Sequence, residues 1–389
     1  MSHSRLLLHF TEEQLEIQRV ARDFAHAEIA PHSAQWDKDA HFEKALVRKF
    51  GDLGFLGMLI PEQYDGLALE TSTYLIALEE IAAVDPAVSI LMGVHNSLPT
   101  QMILKWGTEA QKERYLKPMA RGEKLGAFAL SEPEAGSDAA SIRTQAVKDG
   151  DCWILNGAKS WVSHGNEADV IIVMARTDTP GARHGARGIG AFIVTPDLAG
   201  FKVGKKEDKM GMRASPTVSL SFEDMCVPAD RILGDVHRGF VYAMQSLDNG
   251  RLGIAAQSIG IARAAFEHSV KYAGERRQFG TLLRDFDAIK FKLADMSTRV
   301  TASRALLHAT AAAKDRHETI TQFSSMSKLL ASETAMWVTT QAVQIFGGYG
   351  YMTGYPVERL FRDAKVTEIY EGTSEIQRLV IARELYATT

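Results

Sequence analysis

Cysteine is scarce in this chain: only Cys152 and Cys226 occur, in no CxxC or CxxxH arrangement. That excludes a disulfide-rich scaffold and a cysteine-built zinc site, and it favours a reducing compartment with two inert thiols. Long apolar runs are missing as well, none approaching the roughly 18 residues of a membrane span. The first ten residues, MSHSRLLLHF, carry a very short apolar patch and no small-residue cleavage site, unlike a secretory or transit signal. The expected compartment is the cytoplasm of a bacterium, or the mitochondrial matrix for a mature eukaryotic form. Neither sign of charge dominates: 44 Lys and Arg stand against 48 Asp and Glu. The basic footprint that nucleic acid or an anionic membrane requires is therefore absent. There is also no G-x-G-x-x-G behind a strand, no P-loop, no H-E-x-x-H and no G-x-S-x-G. A nucleotide cofactor would need some other cradle, and no metal is expected.

What is present divides into three textures. The chain has 389 residues, more than one core usually serves. Residues 1–125 read as helical, opened by a Thr11–Gln14 capping box that starts a helix running to about Ala34. Residues 126–235 hold short β-branched and aromatic runs separated by Gly, Pro, Asp and Asn. With no helical pattern between them, they predict an antiparallel β domain. Residues 236–389 are helical again, in three long stretches and a short last one, the pattern of a four-helix bundle. Phe323, Leu330, Trp337 and Gln344 lie seven apart, a stripe expected to face the bundle. The fold class is mostly α with a β middle domain.

Polar residues on these stripes mark candidate sites. Arg251 falls between Leu247 and Ile254, so it needs a partner, either a carboxylate in the bundle or an anionic ligand. Gln344 leads into IFGGYGY, whose glycines either end the helix or bare the backbone for a ligand. The turn-rich LSEPEAGSD, residues 130–138, is a plain loop or a cradle of backbone N–H groups. Trp161, beside Ser163 at a strand end, is core or a shield for a ring system. Arg276 and Arg277 complement a helix dipole or grip a phosphate.

Two glutamates flank a turn in IYEGTSEIQRLVI, residues 369–381. Ser374 and Gln377 read as a second capping box, placing Glu375 in a first helical turn where the dipole favours it. Glu371 instead follows the apolar pair Ile369–Tyr370 and precedes Gly372. A carboxylate at the tip of an apolar segment is either an exposed loop residue or a desolvated base.

From about residue 10 onward the chain resembles the acyl-CoA dehydrogenase family. The resemblance rests on LSEPEAGSD, WVS, DNGR, ERRQFG, QIFGGYGY and IYEGTSEIQRLVIARE occurring in this order. It implies non-covalent FAD and oxidation of an acyl-CoA thioester to the trans-2-enoyl-CoA. Glu371 would remove the pro-R α-proton while the β-hydrogen leaves as hydride to flavin N5. The Glu371 N–H and the flavin ribityl 2'-hydroxyl would polarise the thioester carbonyl, with Gly372 also against the substrate. The stretch from Phe128 through Leu130, Ser131, Gly136 and Ser137 would line the flavin, Trp161 would shield it and Ser163 would sit near N5. Arg276, Phe279, Gln344, Gly347 and Gly348 would meet the FAD of a neighbouring subunit, and Thr373 and Glu375 also fall among the cofactor contacts. Ser137, Asp248 and Arg251 would face CoA. Cofactor sharing implies an oligomer, usually a tetramer, and the electrons would pass to an electron-transferring flavoprotein.

Ser131 and Ser163 stand where the family often has threonine, and Glu134 where glycine is frequent. Members whose base lies on the long helix carry it at the position of Gly250, which here offers no carboxylate. Glutaryl-CoA members use an arginine in a stretch that here, between Gly66 and Lys105, has no Lys or Arg. Gln257 and Thr367 match residues that shorten the pocket in short-chain members. A short straight or branched acyl-CoA is the expected substrate. Oxidases and monooxygenases of the same fold, DNA-binding relatives and a helical scaffold are the rival readings. The YEGT glutamate and a pI of about 6.3 weigh against the monooxygenases and the DNA binders.

Overall fold

The computed structural model describes residues 8–178 and 185–387. The first helices are α1 (Glu12–Phe24), α2 (Ser33–Asp39), α3 (Ala45–Asp52), α4 (Thr71–Val84), α5 (Pro86–Ser97), α6 (Pro99–Trp106), α7 (Glu109–Gln111) and α8 (Lys117–Ala120). The Thr11–Gln14 capping box forms as read, each side chain bonding the other's backbone N–H. The helix it opens does not wind evenly to Ala34, because Ala25–Ile29 form a π-helical turn. Between α4 and α5, Asp85 accepts hydrogen bonds from Ala87 N (2.9 Å) and Val88 N (3.1 Å) while Pro86 sits at N1. The chain thus reverses with a capped start and no wasted donor.

The strands are β1 (Gly126–Ala129), β2 (Gln145–Asp149), β3 (Cys152–Ser163), β4 (Val170–Arg176), β5 (Ile189–Val194), β6 (Phe201–Lys206) and β7 (Thr217–Pro228). They form one sheet in the order β1-β4-β2-β3-β7-β6, with β5 on β4. The antiparallel reading holds for most pairs but not for β4, which runs parallel to β1 from Gly126↔Val170 to Ala129↔Val173 and parallel to β2 at Gln145↔Arg176. The crossover is made by β2 and β3 rather than by a helix, so the usual βαβ signal never appears.

The two thiols expected to be free are joined: Cys152 and Cys226 form a disulfide. β3 and β7 pair so that Ile154 faces Cys226 and Cys152 faces Pro228, bringing the cysteine Cα atoms to 5.5 Å. Their separation of 74 residues hid a neighbourhood that only strand register creates. Cysteine usage therefore does not argue for a reducing compartment.

The C-terminal helices are α9 (Gly239–Glu275), α10 (Asp287–Asp315), α11 (Thr321–Phe346), α12 (Pro356–Val366) and α13 (Ser374–Ala387). One more helix is present than the sequence pattern predicts, since α12 starts at a proline in its N1 position. The seven-spaced stripe of α11 faces mostly outward: Phe323, Leu330 and Gln344 are exposed and only Trp337 packs against the core, whereas Ser324, Ser325, Ser327, Lys328 and Ser332 are buried. Small residues let α11 lie close to α9, and that closeness, not side-chain hydrophobicity, selects the inner face. One apolar core joins α1, α4 and α5 to α9, α10, α11 and α12. Across it, Glu80 of α4 is gripped by Arg263 of α9 (both contacts 2.7 Å) and Arg22 of α1 (3.0 Å), and Glu79 by Arg304 of α10 (2.9 Å). Among the described residues no helix is long and apolar enough to cross a membrane.

Candidate active site

Glu371 sits on the turn between α12 and α13 with a left-handed backbone, φ +50°, followed by Gly372 at φ +92°. A non-glycine residue pays for that conformation, and it persists only where its surroundings hold it. Two side chains do so. Gln377 of α13 donates from Nε2 to the carbonyls of Glu371 (3.2 Å) and Gly372 (2.8 Å). Lys328 of α11 donates from Nζ to the same Gly372 carbonyl (2.8 Å). The helix start also differs from the Ser374–Gln377 capping box. Thr373 is the cap, its hydroxyl accepting from Ile376 N at 3.3 Å, and Gln377 turns back to the Glu371 segment instead. Glu375 is exposed in the first turn of α13, as expected.

The Glu371 carboxyl points at α9. Its Oε2 is sealed from solvent without a hydrogen-bond partner. A Cβ on Gly250 would overlap it, so glycine at that position makes the space the carboxyl occupies. Burial pushes the carboxyl up to about 7, against the opposing charges of Lys328 and Arg251. Burial lowers Lys328 to about 8. The next-door cavity is lined by Leu78 of α4, Ile90 and Gly93 of α5, and Gly253, Ile254 and Gln257 of α9. Gln257 closes it, donating to Pro86 O (2.9 Å) and Ser89 Oγ (2.8 Å) and accepting from the Tyr370 hydroxyl. Thr367 is buried, bonded to Ala364 O, and is not among the cavity-lining residues.

Arg251, 6% exposed, takes the carboxylate alternative: Nη1 bonds Asp248 at 2.6 Å and Ser325 at 3.3 Å, while its Nε is buried and unpartnered. Asp248 is further held by Thr321 at 2.9 Å. The Asp248 and Ser325 contacts use Nη1 alone, so the rest of the guanidinium beside Glu371 is not taken up by this pair.

The loop 130–138 is built on a buried ion pair that the sequence reading did not find. Lys159 of β3 reaches Glu132 at 2.6 Å and the Leu130 carbonyl at 3.1 Å, and Glu132 also accepts from Thr144 N at 3.0 Å. Phe128 and Leu130 pack on the core that includes Phe240 and Met244 at the start of α9. The Ser131 carbonyl accepts from Ser160 N at 2.9 Å. Gly136 and Ser137 are exposed, a Cβ on Gly136 would meet open space, and Glu134 pairs with Arg143 at the surface. Trp161, with φ +57° and 58% exposure, stands out from the β3–β7 bulge rather than entering the core, and Ser163 pairs opposite Thr217.

Arg276, Phe279, Gln344, Gly347 and Gly348 gather elsewhere. Arg276 stacks on Tyr349 at 5.3 Å, Phe279 is 95% exposed, and both glycines face open space. From Gly250 to Glu275 the unbroken α9 spans roughly 37 Å at 1.5 Å per residue. Arg276, just past the C-terminal end of α9, therefore lies far along the helix from Gly250 and the Glu371 carboxyl.

FAD fits the residues present. An exposed indole at Trp161, an open glycine turn at Gly136 and a buried, unpartnered carboxyl oxygen beside Gly250 suit a flavin ring and its substrate, while bare glycines beside an arginine lie past the C-terminal end of α9. Comparison with known proteins agrees. Family models for the acyl-CoA dehydrogenase N-terminal, middle and C-terminal domains match residues 11–123, 127–225 and 237–386. The short-chain specific acyl-CoA dehydrogenase of mouse mitochondria is 47% identical over 369 residues, 95% of this chain and 89% of that protein. The butyryl-CoA dehydrogenase structure from Megasphaera elsdenii superposes with a TM-score of 0.95 at 43% identity, covering 97% of this chain and 99% of that one. A chain in a structure described as electron transferring flavoprotein of Acidaminococcus fermentans gives 0.95 at 44%, with the same coverage. The chain belongs to the acyl-CoA dehydrogenase family, FAD-dependent oxidoreductases that act on acyl-CoA.

Proposed function

We propose that the protein dehydrogenates a short straight or branched acyl-CoA to its trans-2-enoyl-CoA, with Glu371 as the base. The observation that carries this reading is the sealed, unpartnered Oε2 of Glu371 against Gly250, both lining one mostly apolar cavity. A carboxylate stripped of water and hydrogen bonds is a stronger base than an exposed one, which the weakly acidic α C–H demands. Bound FAD supplies the two-electron acceptor for the β-hydride. Glu371 takes the α-proton, and its strained backbone presents its own N–H, with Gly372 beside it, to the thioester. Gln257, fixed by three hydrogen bonds, limits chain length, in keeping with the mouse and Megasphaera relatives. Arg251, with a buried Nε unmatched, and Asp248 serve the CoA moiety together with Ser137. Phe128, Leu130, Ser131, Gly136, Ser137, Trp161, Ser163, Thr373 and Glu375 serve the flavin of the same chain.

Arg276, Phe279, Gln344, Gly347 and Gly348 serve the flavin of a neighbouring subunit. Their distance from Gly250 along α9 and the outward apolar Phe279, Phe291, Phe323 and Leu330 support a homotetramer. Domain boundaries at 125/126 and 235/236, electron transfer to an electron-transferring flavoprotein, and a place in fatty-acid β-oxidation or branched-chain amino acid degradation belong to the same reading. So does residence in the bacterial cytoplasm or the mitochondrial matrix.

Anaerobic mixing with butyryl-, isobutyryl-, 2-methylbutyryl- and octanoyl-CoA tests it. The yellow holoenzyme should bleach fastest with a short chain, and Glu371→Gln should stay yellow. Bleaching of that variant at the wild-type rate, or a clear preference for octanoyl-CoA, would overturn the base or the chain length respectively.

A further inference from the structure

Lys328 is fully buried near the end of the second turn of α11. A buried ammonium is costly, and lysines in cores are normally paired with carboxylates in contact. Among the described residues this one makes no such pair. Its hydrogen bond goes to the Gly372 carbonyl, one residue beyond Glu371, on an acceptor shared with Gln377. We propose that Lys328 is a positioning residue for the reaction: it anchors the left-handed Glu371–Gly372 turn and supplies the positive charge in whose field Glu371 acts. The inference rests on Glu371 being the base.

Three observations carry it. First, the two donors on the Gly372 carbonyl fix the peptide that follows Gly372, and Gln377 fixes the one before it. These bonds hold the backbone that presents the Glu371 carboxyl beside Gly250. Second, the charged and titratable groups facing Glu371 can be named on each packed element. They are Lys328 on α11, Arg251 on α9, Tyr74 on α4 and the adjacent Tyr370. Arg251 is already engaged by Asp248, whereas Lys328 meets only a neutral carbonyl, and of the two cations Lys328 opposes the rise of Glu371 more strongly. Glu368 and Glu375 act on Lys328 more weakly than Glu371 does. Third, Ser325, Lys328 and Ser332 share the buried face of α11. The lysine thus stands on a face of small residues, where no packing need calls for a long side chain.

The test uses the FAD-loaded enzyme and three variants. Infrared difference spectra, wild type minus Glu371→Gln, identify the carboxyl band of Glu371 and its titration midpoint. In Lys328→Met the midpoint should move up by about one pH unit. Flavin bleaching by butyryl-CoA should then be slower at pH 7 by at least roughly fivefold, the part due to the shift recovering near pH 9 and the part due to the lost anchor on the Gly372 carbonyl persisting at every pH. Lys328→Gln keeps a donor without the charge, so it should show the same shift and retain its FAD if the methionine variant does not fold. An unmoved midpoint overturns the proposal, whether the rate is unchanged or falls equally at every pH. So does failure of both variants to fold, which would make Lys328 purely structural. Bleaching by Glu371→Gln would instead overturn the assignment of the base, a separate outcome.

Discussion

Gly250 and the Glu371 carboxyl occupy adjoining space so closely that one methyl group on Gly250 would overlap Oε2. Gly250→Ala should therefore displace the carboxyl while leaving the rest of α9 intact, since alanine is the better helix former. Flavin colour should persist, and stopped-flow bleaching by butyryl-CoA should fall on the order of a hundredfold, as small misplacements of a reacting group do.

The pH dependence follows from burial of the same carboxyl. Glu371 must be ionised to accept a proton, so single-turnover flavin reduction should rise as pH passes through about 7. Stability should run the other way. The fold raises the carboxyl to about 7, so it binds that proton more tightly than the unfolded chain. The contribution is complete below about 4.5 and is lost as pH climbs through about 7, a loss of about 3 kcal/mol. Calorimetry should find Glu371→Gln a few degrees more stable than wild type at pH 8, with the gap closing near pH 5.

The Lys159–Glu132 pair under the 130–138 loop predicts non-additive damage. Lys159→Met alone strands a buried carboxylate and should cost about 3–5 kcal/mol, with faster loss of FAD on dilution. Lys159→Met combined with Glu132→Gln should recover much of that in a double-mutant cycle read by thermal unfolding and retained flavin.

Gln257 holds the end of the cavity through Pro86, Ser89 and Tyr370. Gln257→Ala should open that end. The ratio of kcat/KM for hexanoyl-CoA over butyryl-CoA should rise, by about tenfold, the scale that a methylene or two carries in an apolar pocket.

The parts legible in the sequence were those written in local pattern. The Thr11–Gln14 box, the helical thirds, the interrupted stripe at Arg251 and the odd position of Glu371 all depend on neighbours within a turn or two. What escaped depends on register between distant segments. The Cys152–Cys226 bond and the parallel β1–β4 pair exist only once strands align. Lys159 looks like any strand lysine until Glu132 folds over it. The stripe of α11 misled for a different reason. Over its first turns the inner face is made of serines and Lys328, so Phe323 and Leu330 point away. Lys328 left one faint signal, a charge at helical spacing between Ser325 and Ser332.

The shared apolar core of α1, α4 and α5 with α9 to α12 has a consequence for how the polypeptide is made. The opening helices emerge from the ribosome with Glu79 and Glu80 awaiting arginines at 263 and 304, encoded 183 and 225 codons downstream of their partners. The sheet, whose strands draw only on residues 126–228, can close while they wait. The helical body completes itself only when synthesis is nearly over, so a truncated product would display an unfinished interior to the cell's quality-control machinery.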